Sequence, residues 1–506
     1  MLQEFKEFVA QWIKTNLTPL PQDSDCSVQT WLAASPYPLW RKKELLEIYE
    51  NEDCTLDPNV IKHHSYFDPF KASASAHRDV RMSSFMKRET YPKYKYPRAI
   101  NARCDKFKLR TGPIFKLIEK QVFQHPSFIK SVPNLERPKV ILEDLFQEYA
   151  HVMGTDYQSF EALFELEIFD ACEFQLYKYM TMLLPDNEFY ELVESVLGGI
   201  NCCRFKEFKV YCQATRMSGE MCTSLGNGFT NLMIILFVAF KKQLKSLKTK
   251  VEGDDGLCTY YGVKLNEKPF EQLGLRIEII YFDSLTEASF CGIVSDIDEL
   301  AAIGDIVKTL LDFGWTDSIY RNSSDKILLE LLRCKALSVL YQYPNCPILR
   351  ELGLYGCRIT DGYHYKHSYL SDNYKKISNM ENQVPIHLFK EITITTRLLV
   401  EKRFNISLSQ QLAFEKYLTK LNVLQPLILG ELAYLCHADA KHYFDNYSSW
   451  DFNNEYCIGE GLPQQKNVYG KKQSYTSGLK DTKSKERGSV KKTTSPKGSY
   501  KQKQQK

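Results

Sequence analysis

Two stretches of this chain carry acids in places where acids could do chemistry. Asp156 sits in HVMGTDYQSFEALF, and Asp254 and Asp255 sit in KTKVEGDDGLCTYYGVKL. The first stretch reads as a strand that ends near Asp156 and passes into a turn and a helix. The second has two β-rich arms around Gly-Asp-Asp-Gly, a hairpin signal. If the two strands are neighbours in one sheet, three carboxylates converge. Carboxylates are hard oxygen ligands suited to divalent cations. Two such cations ~4 Å apart serve nucleotidyl transfer, one activating an attacking 3′ hydroxyl and the other neutralising the leaving pyrophosphate. A Gly-Asp-Asp tripeptide alone is weak evidence, because both residue types favour turns for reasons of backbone geometry.

A third stretch, ATRMSGEMCTSLGNGFTNLMIILF, supplies the remaining parts. Ser218 and Gly219 belong to a Gly-bearing loop, and Thr223 and Asn227 follow at offsets of five and nine from the serine. On a helix begun after the glycine, Thr223 and Asn227 lie one turn apart on one face. Glu161 follows Asp156 by five positions. A ribose 2′ hydroxyl both donates and accepts a hydrogen bond, so an amide and a carboxylate, Asn227 and Glu161, suit a ribose-sensing pair.

The elements that must position these residues are legible in outline. Residues 1–60 hold short helical patterns, LQEFKEFVAQWIK and LWRKKELLEIYENE, without a chemical motif. From about residue 84 basic and aromatic residues interleave before PIFKLIEKQVF, a helix that Pro113 is placed to start. PFEQLGLRIEIIYF predicts a helix end and a strand, and ASFCGIVSD a further short strand. Residues 298–455 read as mostly helical, ELAAIGDIVKTLLDF and KILLELLRCKALSVLYQY among them.

Bulk properties bound the answer. Hydrophobic residues at 43% and charged residues at 25% of 506 are ordinary for a folded chain. The formal charge is +4, yet residues 466–506 alone carry +11, so the rest carries about −7. That lysine-rich end lacks hydrophobic periodicity and is predicted to be a disordered tail that contacts RNA or an anionic surface. The fifteen cysteines show no paired metal-site spacing and read as reduced thiols of a cytosolic protein, which makes the sequons at Asn322, Asn405 and Asn446 chance matches. The apolar run Phe229–Phe240 falls short of the ~20 residues a bilayer requires and reads as a buried helix.

TDYQSFEALF, SGEMCTSLGN and VEGDDGL resemble motifs A, B and C of the RNA-dependent RNA polymerases of positive-strand RNA viruses, closest in wording to the nodavirus-like and tombusvirus-like branch. KRETYPKYKYPRAINARCDKFKLRTGPIFKLIE resembles the motif F region and ASFCG motif E, so the resemblance spans about residues 84–293. It implies an α+β right-hand polymerase with an antiparallel palm sheet and a helical thumb. The divisions are 1–60 as an N-terminal extension packing on fingers or thumb, 61–330 as interleaved fingers and palm, 331–462 as thumb and 463–506 as tail. It implies Asp156 and Asp254 as principal ligands of two Mg²⁺ or Mn²⁺ ions, with Asp255 beside them. Glu161 and Asn227 would inspect the ribose, and Ser218 and Gly219, supported by Thr223, would handle template and incoming nucleotide. Arg98 and Arg103 would meet the triphosphate, a task suited to bidentate, permanently charged guanidinium groups. Expected partners are template and nascent RNA, nucleoside triphosphates, and a membrane or viral replication protein, in the host cytoplasm at a membrane-associated replication complex. One departure concerns motif D, where LGLRIEII offers Arg276 and Glu278 in place of a lysine general acid, with Lys264 a distant substitute. Rival readings are a catalytically inactive RNA-binding relative and a reverse transcriptase. Glu161 with Asn227 argues against the latter, since a DNA-making site would block a 2′ hydroxyl.

Overall fold

The computed structural model describes residues 1–432, apart from 52–56, 58–59, 61–65, 88, 90–95, 186–187, 317, 321, 366–380 and 426. The expected basic tail and the last part of the expected thumb lie outside the described residues. The fold is mixed α and β, with sheets that are mainly antiparallel.

The acid-bearing segments form one four-stranded sheet. Its members are β3 (His151–Tyr157), β6 (Lys245–Glu252), β7 (Asp255–Tyr261) and β8 (Ile277–Phe282), in the order β6-β7-β3-β8 and antiparallel throughout. Glu252 pairs with Asp255, which leaves Gly253 and Asp254 as a two-residue turn. Gly253 has φ +62°, a conformation that costs glycine little and other residues more. Thr155 of β3 pairs with Gly256 of β7, so the register brings Asp156 to the turn end of the hairpin.

This sheet is backed by the helix Thr223–Lys241, whose sequence is apolar on nearly every side and whose residues from Leu225 onward are largely buried. It is the one helix among the described residues with the length and hydropathy to cross a bilayer, but 78% of its apolar window is buried inside the protein. The N-terminal helix Leu2–Asn16 packs on it through Phe5, Val9 and Ile13, spaced four apart, with the Phe5 ring 5.3 Å from that of Phe237. Burying each of those side chains is worth roughly 1.5–3 kcal/mol, enough to dock the helix.

A second sheet has the order β2-β1-β4-β5, made of β1 (Met82–Met86), β2 (Ala99–Arg103), β4 (Ile200–Arg204) and β5 (Lys209–Gln213). Only β1 and β4 run parallel. It carries the basic and aromatic segment toward the loop before the central helix. Beyond the first sheet, β9 (Ser289–Phe290), β10 (Ile293–Asp296) and β11 (Ala301–Gly304) form a small antiparallel sheet. The helices Asp325–Gln342, Leu349–Ile359, Ile394–Phe404 and Leu408–Lys420 build a separate core around Leu337, Leu340, Leu352 and Phe414.

Three local expectations need correction. Pro113 does not start a helix: the helix runs Asp105–Val122 with Pro113 inside it. Phe107, Leu109 and Thr111 are buried there, so core packing extends the helix through a residue that deletes one backbone donor. ASFCGIVSD forms two strands around a turn at Cys291 and Gly292, both with positive φ. Ala301–Gly304 is a strand, because its four fully buried residues pair with β10 instead of extending the helix Ile306–Asp312.

Candidate active site

The strand order makes β3 and β7 immediate neighbours, and with them the acids. Asp156 is the last residue but one of β3 and exposed; Asp254 occupies the turn and is also exposed, while Asp255 opens β7 and is half-buried. Desolvation raises the Asp254 pKa most, the nearby charge of Asp156 raises it further, and its own backbone N–H and Arg98 act the other way. Asp255 is pushed up to about 6, first by desolvation and then by Asp254, with Asp156 and Glu252 adding to the repulsion and a hydrogen bond from Cys291 opposing it. Carboxylates raised by burial and by the charge of neighbouring acids lack a sufficient counter-charge. Among the described residues no group of three or more His, Cys, Asp or Glu side chains is gathered closely enough to form a metal cage. The donors these acids offer are carboxylate oxygens, hard ligands of the kind divalent cations such as Mg²⁺ take.

Beside the acids lies a polar cluster built from the other two motifs. Glu161 stands in the 3₁₀ turn Phe160–Leu163, and Asn227 is on the second turn of the central helix. Asn227 Nδ2 donates to Glu161 Oε1 at 3.1 Å, and Ser218 also hydrogen-bonds the Glu161 carboxylate. Burial raises the Glu161 pKa, the two hydrogen bonds and the charge of Arg216 hold it down, and Asp254 pushes it up again. The Asn227 Oδ1 atom is buried without a partner among the described residues. The cluster therefore offers an unsatisfied acceptor and a carboxylate close to the acid pair.

No protein-family model matches this chain, and no curated protein matches it. Gly219, with φ +97°, and Thr223 line an open cleft of about 490 Å³ whose far wall is Glu252, Gly253, Asp255 and Cys291. A Cβ at Gly219 would stand 2.9 Å from Ile100 Cγ2, so the position lacks space as well as conformational freedom. Asn101 donates its backbone N–H to the Ser218 carbonyl at 2.7 Å, tying the loop to β2. Thr223 Oγ1 closes the loop by donating to the Met217 carbonyl at 3.2 Å.

The two arginines part company. Arg98 is exposed, pairs with Glu89, and lies near enough to Asp254 to lower its pKa. Arg103 is enclosed and 3% exposed: Nε donates to Glu220 at 2.9 Å, Nη2 to Glu220 and to Asn201 at 2.7 Å, and Nη1 to the Val80 carbonyl at 3.1 Å. An arginine with these donors spent on protein groups is not open to a triphosphate, so the expected contact at Arg103 is replaced by a clamp on the loop through Glu220. Lys264 stacks on Tyr281, 4.8 Å from the ring, and the Arg276 carbonyl accepts from Gln158 N at 2.9 Å.

Arg216, Glu173 and Gly226 shape the site without having been marked by any sequence pattern. Arg216 and Glu173 form an ion pair with no side-chain exposure, roofed by Phe164 and Phe169 with the guanidinium 5.1 and 4.9 Å from their rings. A Cβ at Gly226 would fall 2.3 Å from Glu173 Oε2, so only glycine admits the pair beneath the helix. Cys291 carries a thiol whose pKa burial raises strongly; near Glu252 and Asp255 it acts as a hydrogen-bond donor, not a nucleophile. The available signal for Arg216 was a charged residue just ahead of an apolar helix; nothing in the sequence marked its partner.

Proposed function

We propose that this chain is an RNA-directed RNA polymerase that adds nucleotides to an RNA 3′ end on an RNA template, resembling the enzymes of nodavirus-like and tombusvirus-like viruses. The observation that carries the proposal is the neighbouring placement of Asp156 and the Asp254–Asp255 turn, with the Glu161–Asn227 pair bonded beside them. Two Mg²⁺ or Mn²⁺ ions held by Asp156 and Asp254, with Asp255 near, would activate the 3′ hydroxyl and neutralise the pyrophosphate. The residues fit hard cations: their donors are carboxylate oxygens, exposed or half-exposed and short of positive charge.

The chain's own side chains supply the rest. Glu161 and Asn227 together accept from and donate to a ribose 2′ hydroxyl. Arg98 stands where a permanently charged guanidinium would draw a triphosphate toward Asp254, and Arg103 holds the loop through Glu220. On this reading the two larger sheets and the central helix form palm and fingers, the C-terminal helices form the thumb, and the basic tail engages RNA or an anionic membrane surface in the host cytoplasm. The test is Asp254→Ala in a template-dependent incorporation assay: elongation should be lost while RNA affinity survives, and retained elongation rejects the proposal.

A further inference from the structure

Asn231 lies two turns beyond Thr223 and one beyond Asn227 on the central helix, so the three residues form a polar stripe on a largely apolar element. Its side chain is completely buried. Asn231 Nδ2 donates to the Gly253 carbonyl at 3.1 Å and to the Asp255 carbonyl at 3.1 Å. The two carbonyls flank Asp254, the turn residue, so a single amide grips the backbone on both sides of that carboxylate. Its own Oδ1 is buried without a partner among the described residues. An unpaired buried carbonyl is a cost that an apolar residue of similar size would avoid, so whatever retains the amide here acts through its two donors.

The surroundings are built for close approach. A Cβ at Gly256 would meet Thr155 Oγ1 at 2.4 Å and Ile235 Cδ1 at 3.0 Å, and one at Gly228 would lie 3.6 Å from the Gly253 nitrogen. Glycine at 256 leaves room for the helix close beneath β7, while a Cβ at 228 would make only ordinary contact with the turn. One turn earlier Asn227 donates to the Glu161 carboxylate, so this helix face bonds both acid-bearing segments, one through a side chain and the other through its backbone.

We propose that Asn231 is a positioning residue that sets the Gly253–Asp255 turn, and through it the Asp254 carboxylate relative to Asp156, for nucleotidyl transfer. The inference rests on the polymerase reading. A turn released from the amide stays folded, because the Glu252–Asp255 pair and the β7 ladder remain. It loses the fixed position on which cation and 3′ hydroxyl alignment depend.

The experiment compares full-length Asn231→Leu, Asn231→Ser and Val238→Ala with wild type and Asp254→Ala. It measures kcat and KM for ribonucleotide incorporation on a primed template, with Mg²⁺ and with Mn²⁺, below the melting temperature of every variant. Leucine removes both donors while keeping the branched outline in a bulkier side chain, serine removes bulk and is too short to span both carbonyls, and Val238→Ala is a core cavity on the same helix away from the turn. The result expected is a kcat loss on the order of 10²-fold in Mg²⁺ for both Asn231 variants, the scale of an ångström's misplacement. KM and RNA affinity should stay within about two-fold, and Mn²⁺, more tolerant of coordination geometry, should recover part of the loss. Unchanged kcat in either Asn231 variant, or an equal loss in Val238→Ala at matched melting temperature, overturns the inference. If Asp254→Ala itself still elongates, the polymerase reading fails instead, and the two failures are distinguishable.

Discussion

Replacing Asp255 with asparagine in the metal-free protein keeps the shape of the side chain and removes a charge that the fold holds at a disadvantage. Its carboxyl is raised from 3.8 to about 6, by desolvation and then by the Asp254 charge. A shift of about two units corresponds to at most about 3 kcal/mol at ~1.4 kcal/mol per unit. The sign follows from proton binding: the native state holds this proton more tightly than the unfolded chain, so stability is complete below about pH 4 and is lost as pH rises to about 6. Above pH 7 the wild type bears the whole penalty and Asp255→Asn bears none. Thermal unfolding followed by circular dichroism in chelator, from pH 4 to 7.5, should therefore give matching melting temperatures at the acid end. At pH 7.5 the variant should lead by a few degrees, since a kcal/mol is worth about 2 °C or less in a chain this large. Magnesium should close the gap by stabilising wild type more than the variant. A difference that stays constant with pH, or a variant that melts earlier at pH 7.5, would refute the claim that the fold holds the Asp255 carboxylate at a disadvantage through desolvation and the neighbouring Asp254 charge.

Three other outcomes follow from the same geometry. Glu161→Ala, by freeing Asn227 from its carboxylate partner, should narrow the preference for ribonucleotides over deoxyribonucleotides on the order of ten-fold, a hydrogen bond's worth; paired incorporation kinetics read it, and an unchanged ratio argues against ribose sensing. Gly226→Ala forces a methyl onto the Glu173–Arg216 pair and should destabilise by about 3–5 kcal/mol, the cost of breaking a buried pair; denaturant unfolding checks this, and a loss under 1 kcal/mol would mean that the pair relaxes freely. Truncation after Gly461 should leave the melting temperature of the rest unchanged while flattening the salt dependence of RNA binding, as eleven net positive charges are removed; an unaltered slope would assign the tail to another partner.

The parts of the site that were legible in the sequence are those set by local chemistry. The Gly253–Asp254 turn follows from a glycine flanked by β-rich arms, and the position of Asn227 follows from counting turns along a helix. What escaped was set by packing between distant segments. A basic run reads the same whether its arginines face solvent or a buried partner, so Arg103 and Glu220, 117 residues apart, could not be paired beforehand. Pro113 reads as a helix start because its missing donor is harmless there, yet burial of Phe107 and Leu109 carries the helix back to Asp105. Ala301–Gly304 is too short for periodicity to separate strand from helix, and pairing with β10 decides it. Asn231 lies inside the apolar run Phe229–Phe240, and its meaning appears only with the hairpin above it.

The most direct measurement is incorporation of labelled ribonucleotide into RNA by the purified full-length chain, with and without template and with and without divalent ion, for wild type and Asp254→Ala. The account predicts synthesis by wild type only when both template and Mg²⁺ or Mn²⁺ are present, and none by the variant. Synthesis that persists in chelator, proceeds without template, or survives the loss of Asp254 would contradict it.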